Sequence, residues 1–383
     1  MFLLYSNACG LHNPETEILS GKPVPYLESP ERMKRIISHL LKDDRTKGWT
    51  WIDVDSDDMR HNVMLPNISE AISRVHDAGY VEYLEHAYKS WVEDGGSKAG
   101  VVPETFPHPS LLSTASQETT RSKTLSPLAK AGLYCFDLSC PITANTFESA
   151  IAAVRVALCA ASHLISIETH PKTTARPPTG AFALTRPPGH HAGSAVCGGY
   201  CFFNNAAITA RYLQSEMSRE GKNEECKVAI LDIDYHHGNG TQEIFYEDPS
   251  VFYVSLHAQG DYPYLTGATE EIGRGPGAGF NVNIPLPQHT TGNKEYLVAM
   301  KQAATKIEEF VPQWLIVSLG VDTYKDDPIC NFQLTSECYV DIGREIGRLG
   351  LPTLFAMEGG YCLDALGTNV AGVLSGFEAG TPE

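Results

Sequence analysis

Eight short runs rich in apolar and β-branched residues punctuate the sequence: Phe2–Ser6, Thr50–Val54, Ala181–Thr185, Lys227–Asp232, Val251–Leu256, Phe280–Ile284, Leu315–Leu319 and Thr353–Met357. Several are continuous rather than alternating, the pattern of strands buried on both faces. Helix-length segments lie between them, at Pro30–Leu41, Ala71–Trp91, Phe147–Ile165, Ala206–Met217, Tyr296–Phe310 and Tyr339–Leu349. Alternation of this kind builds a parallel sheet covered by helices. No composition break divides the runs into two sets. The expectation is therefore an α/β protein, a single three-layer domain over 1–383 around an eight-stranded parallel sheet.

Two segments fall outside that pattern and read as loop insertions, near 96–127 and 169–179; both are dense in Ser, Thr and Pro. A long aperiodic segment within a compact domain is functional or disordered. The apolar stretch Ala150–Ile167 is interrupted by Arg155 and His163, and no basic region precedes the apolar start, so neither a membrane span nor a signal peptide is expected. The ten cysteines include no CxxC pair, which suits free thiols in a reducing, cytoplasmic compartment, with the nucleus also open. A formal charge of −17 argues against direct nucleic-acid binding and favours cationic substrates.

The chemistry-bearing residues cluster where runs end. Lys227–Asp232 continues into Asp232-Ile233-Asp234-Tyr235-His236-His237-Gly238-Asn239, placing carboxylates and imidazoles at the carboxyl end of a buried strand, where α/β folds build their sites. Asp234 and His236 are two residues apart, so in extended chain they point the same way and can share a zinc ion. Leu315–Leu319 ends in Gly320-Val321-Asp322, and Asp322 is the candidate third ligand. Two Asp and one His leave a fourth position open for water or a substrate carbonyl, as catalytic zinc requires. The turn Arg186-Pro187-Pro188-Gly189-His190-His191 presents a tandem imidazole pair able to take a proton from water and return one to a leaving amine. Thr353–Met357 ends in Glu358-Gly359-Gly360-Tyr361, whose phenol can donate to an oxyanion.

With RPPGHHA, GGYCFFNNAA, ILDIDYHHGNGTQEIFY, VSLH, SLGVDTYKDDP and MEGGY in order, the chain resembles the histone deacetylase family, and within it the class II and acetylpolyamine amidohydrolase branch. Asn13–Arg32 and Val75–Tyr80 extend the resemblance over nearly the whole chain. It implies the arginase-deacetylase fold and one zinc ion per chain on Asp234, His236 and Asp322. It makes His191 the general base and acid, His190 its electrostatic partner and Tyr361 the carbonyl-polarising donor. Asp232 would orient His190, and Asn239 would orient His191. A potassium ion is implied on the carbonyls of Asp232, Asp234, His236 and Leu256 with the side chains of Asp232 and Ser255.

The family's narrow acyl-lysine tunnel maps onto Gly199, Tyr200, Tyr262 and Ile329. Aligned with the polyamine branch, Leu128 and Ser139 stand where acidic residues would receive a distal ammonium; Asp137 and Glu104 lie nearby as substitutes. The implied substrate is a small acetylated amine, with acetyl-lysine in a peptide as the alternative, and the 96–127 insertion suggests a homodimer. An arginase-type hydrolase with two manganese ions would need a richer set of Asp ligands. An inactive acyl-lysine-binding scaffold would tolerate loss of Tyr361 or a ligand, and all are present.

Overall fold

The structure, a computed structural model, describes residues 1–56, 66–108, 125–169, 180–219 and 226–382. Its strands are β1 (Phe2–Tyr5), β2 (Thr16–Leu19), β3 (Lys22–Pro25), β4 (Thr50–Asp53), β5 (Gly180–Ala183), β6 (Val228–Asp232), β7 (Val251–Ala258), β8 (Asn281–Leu286), β9 (Trp314–Leu319) and β10 (Thr353–Met357). All eight expected runs join one sheet in the order β4-β1-β5-β10-β9-β6-β7-β8. Every neighbouring pair in it is parallel. One register row crosses all eight strands: Trp51, Leu3, Phe182, Phe355, Val317, Leu231, Val254 and Val282. From Leu3 to Val254 its members are fully buried, which is why these runs read as continuously apolar.

Helices cover the sheet in two groups. Thr146–Thr169 packs on β1, β5 and β10, and its neighbour Asn205–Arg219 packs on β6 and β9. Glu31–Leu40, Ser336–Arg348 and Leu363–Gly380 pack together, and Asn293–Phe310 lies against β6 and β7. The stretch Thr146–Ile167 has the length and hydropathy of a membrane span, but most of it is buried inside the protein.

Three features depart from the sequence reading. The segment Ala71–Trp91 is two helices, Ile68–Ser73 and Ala78–Glu93, because the Asp77 carboxylate accepts from Gly79 N at 2.8 Å and starts a new helix. The helix Leu363–Gly380 was not expected, since its glycines lower helix propensity. Those glycines serve close packing: a Cβ at Gly376 would overlap the Val340 carbonyl of the adjacent helix. The hairpin β2–β3 is also additional, a separate antiparallel pair turning at Ser20 and Gly21, whose φ values of 51° and 75° suit a two-residue hairpin turn.

Within the 96–127 insertion, Val101 exchanges hydrogen bonds with Ile142 at 2.8 and 3.2 Å. Its residues 109–124, and 170–179 of the second insertion, lie outside the described residues.

Candidate active site

The four central strands, β5, β10, β9 and β6, are adjacent and parallel, so their carboxyl ends deliver side chains to one place. After β6 the chain bends rather than staying extended, yet Asp234 and His236 still meet, with His236 N donating to Asp234 Oδ1 at 2.9 Å. The Nδ1 of His236 lies 3.1 Å from Asp234 Oδ1 and 3.2 Å from Asp322 Oδ2. Tetrahedral ligands on zinc–nitrogen and zinc–oxygen bonds of about 2.0–2.2 Å stand about 3.3 Å apart, so these separations fit one zinc ion. The Asp322 Oδ2 atom is buried without a hydrogen-bond partner, while Oδ1 accepts from Tyr235 N at 2.9 Å. Burial and the neighbouring charge of Asp234 push Asp322 up to about 7. Gly359 closes the cradle: a Cβ there would lie 2.6 Å from Asp234 Oδ2, and its N–H donates to the same oxygen at 2.8 Å. The donor set therefore fits a small dication.

The β5 turn brings His190 and His191 to this centre, their rings 4.0 Å apart. His190 Nδ1 lies 3.0 Å from Asp232 Oδ2, which also accepts from the Tyr253 hydroxyl at 2.9 Å. Burial disfavours the His190 imidazolium, but Asp232 and Asp234 outweigh it and raise the group to about 10. His191 is the reverse case: burial and the charge of His190 hold it well below its usual range, neutral at pH 7. Its Nδ1 contacts Asn239 Oδ1 at 2.7 Å, an acceptor that puts the proton on Nδ1 and leaves Nε2 free to act as a base. Glu358 buttresses the turn by accepting from Gly189 N at 2.6 Å and His190 N at 3.2 Å.

Tyr361 leaves β10 beside Arg32, whose guanidinium sits 5.0 Å from the centre of its ring. Burial raises the phenol well above its ordinary value, so it stays a hydrogen-bond donor. His191, His236 and Tyr361 all line one cavity of about 400 Å³. Gly199, Tyr200, Tyr262 and Ile329, the residues expected to form a tunnel, line the same cavity. Gly199 must be glycine, because a Cβ there would overlap the His191 ring. Ser255 and Leu256 lie on β7 directly beside β6, with Asp232 and Ser255 in register.

Asp137 and Ser139 line the cavity, whereas Glu104 is exposed and is not among its lining residues. Burial and nearby Cys135 push Asp137 up to about 6. Sequence reasoning missed Asp261, which also lines the cavity and accepts from the Tyr235 hydroxyl at 2.6 Å. It missed Ile18, Leu19 and Ser20 of the hairpin, and Cys330, whose sulfur falls within 4.8 Å of donor atoms of His236 and Asp322. All ten cysteines are free thiols, as expected.

Sheet order and a carboxyl-edge site define a hydrolase of the arginase-deacetylase fold. The crystal structure of acetylpolyamine aminohydrolase from Burkholderia pseudomallei superimposes with a TM-score of 0.83 at 31 % identity, covering all of both chains. A histone deacetylase domain matches residues 26–377, and the chain belongs to the histone deacetylase family. Acetylpolyamine amidohydrolase 1 of Pseudomonas aeruginosa is 39 % identical over 380 residues, 99 % of each chain. The acetylpolyamine amidohydrolase of Mycoplana ramosa is 36 % identical over 383 residues, 98 % of this chain and 99 % of that protein.

Proposed function

We propose that this protein hydrolyses the N-acetyl amide of a small aliphatic amine, an acetylpolyamine in the first instance, with one zinc ion per chain. The observation that carries the reading is the meeting of a neutral imidazole, a protonated phenol and an aspartate–histidine–aspartate donor set at a single cavity. Asp234, His236 and Asp322 would hold the metal, which when bound supplies a Lewis acid and a water of lowered pKa. His191 accepts a proton at Nε2 and returns it to the departing amine nitrogen. His190, kept charged between Asp232 and Asp234, stabilises the developing negative charge and keeps its neighbour neutral. The Tyr361 hydroxyl donates to the carbonyl oxygen as it becomes an oxyanion.

The names of the full-length relatives support the polyamine class. Asp261 supports it independently, because it places an acidic side chain along the cavity although Leu128 and Ser139 do not. A structural potassium ion on the carbonyls of Asp232, Asp234, His236 and Leu256, with Asp232 and Ser255, belongs to the same reading. The test is hydrolysis of acetylputrescine, acetylcadaverine, acetylspermidine and an acetyl-lysine peptide by chelator-stripped protein before and after zinc addition. Restored activity with the peptide preferred over every amine at low salt would overturn the substrate assignment. Full activity in stripped protein would overturn the metal assignment.

A further inference from the structure

Hydrogen bonds from two sides of the cavity wall converge on a residue outside the catalytic group. Asp137 Oδ2 accepts from Gly199 N at 2.8 Å and from the Tyr262 hydroxyl at 2.7 Å. Ser139 secures the same carboxylate, its hydroxyl donating to Oδ2 at 2.6 Å and its N–H to Oδ1 at 3.2 Å. Gly199 opens the segment that carries Tyr200, and Tyr262 sits in the loop after β7, so one oxygen ties two unconnected walls of the cavity. The Tyr262 ring stands edge-on to His191 at 5.0 Å and to His236 at 5.8 Å, so its setting defines the space beside the reacting groups. Phe136, next to Asp137 in sequence, stacks on it at 6.3 Å. A phenylalanine at 262 would keep that stack and lose the bond. Hydrogen bonds to a charged carboxylate are about twice as strong as neutral ones, enough to favour one ring position over its neighbours.

We propose that Asp137 is a positioning and specificity residue that fixes the Tyr262 phenol and the Gly199 amide to one carboxylate oxygen, sets the width of the passage, and so restricts the substrate to an unbranched chain. This rests on the reading of the cavity as the amide-substrate channel. The residue acts through Tyr262 and Gly199 rather than on the amide itself. Its carboxylate is already held by four donors, the Gly199 amide, the Tyr262 hydroxyl and the hydroxyl and N–H of Ser139, which is the arrangement of a positioning group rather than of a free counter-ion for the substrate.

Two uncharged isomers, N-hexylacetamide and N-(2-methylpentyl)acetamide, test width without charge, and acetylcadaverine tests charge. In zinc-loaded protein, Asp137→Ala and Tyr262→Phe should each lower the linear-to-branched ratio of kcat/KM by about tenfold, the scale of one-methylene discrimination. The double variant should lose no more of the ratio than either single one. Asp137→Asn keeps an acceptor oxygen and should restore most of the ratio. An unchanged ratio in both single variants would overturn the proposal. So would an Asp137→Asn variant impaired only toward acetylcadaverine, which would make Asp137 a counter-charge. If wild-type protein hydrolysed none of the amides, the amidohydrolase reading would fall instead. Calorimetry with linear and branched alkyl hydroxamates would then read the passage without turnover, and equal affinity loss for both isomers in Asp137→Ala would overturn the width argument.

Discussion

The Asp327 carboxylate accepts the backbone N–H of Tyr361 at 2.7 Å, so the loop after β9 fixes the position of the phenol delivered by β10. It also accepts from Cys362 N and Ile329 N, each at 3.2 Å, joining the phenol to a cavity-lining residue. Tyr361→Phe and His191→Ala are expected to lower kcat by at least about a hundredfold with zinc retained, the usual cost of losing an oxyanion donor or a general base. Asp327→Ala should lower kcat by about tenfold or more in wild type and far less in the Tyr361→Phe background, since coupled groups are non-additive. Equal losses in both backgrounds would show that Asp327 acts elsewhere.

Metal content is a separate expectation. Asp322→Ala removes the buried carboxylate whose Oδ2 lacks a hydrogen-bond partner, and should abolish zinc binding and activity together. Elemental analysis of the wild-type protein should give one zinc per chain; two manganese ions at full activity would contradict the single centre.

Stability should fall in mild acid. His76 is buried, and its Nε2 accepts from Asn204 N at 3.0 Å, an arrangement only the neutral ring can make. Burial lowers its folded pKa to about 4, from an ordinary histidine value of about 6.5. The unfolded chain therefore takes up the proton first, and stability is lost as pH falls from about 6.5 toward 4, by as much as about 3 kcal/mol for this group. His76→Gln keeps an acceptor without titrating. It should flatten the dependence of Tm on pH between 6.5 and 4.5; an unchanged slope would exonerate His76.

A net charge of −17 with Asp261 along the cavity should draw in cationic amines. For acetylcadaverine, kcat/KM is expected to fall as ionic strength rises, whereas a neutral N-alkylacetamide should change little because screening acts only on the charged encounter. Parallel salt dependence for both substrates would remove long-range attraction from the account.

The sheet was legible because its strands are buried on both faces: Ile230, Val254 and Val317 sit in runs whose successive residues are all buried, so burial wrote itself as largely continuous hydrophobicity. Asp234, His236 and Asp322 were legible because each follows such a run within a few residues. Other features depend on tertiary contact. The β2–β3 hairpin was hidden by Pro23 and Pro25, which argue against strands, and by Glu17, a buried carboxylate in a strand too short to show alternation. Asp261 and Asp327 each precede a Pro within two residues and read as turn residues, and only the folded chain shows that one faces the cavity and the other holds Tyr361.

The hairpin forms a sheet of its own, yet Ile18, Leu19 and Ser20 reach the cavity that the large sheet floors. The groups that would break the amide and this stretch of the cavity wall therefore arrive on different pieces of chain. Exchanging Thr16–Pro25 between members of the family would change that stretch while leaving the strand ends in place.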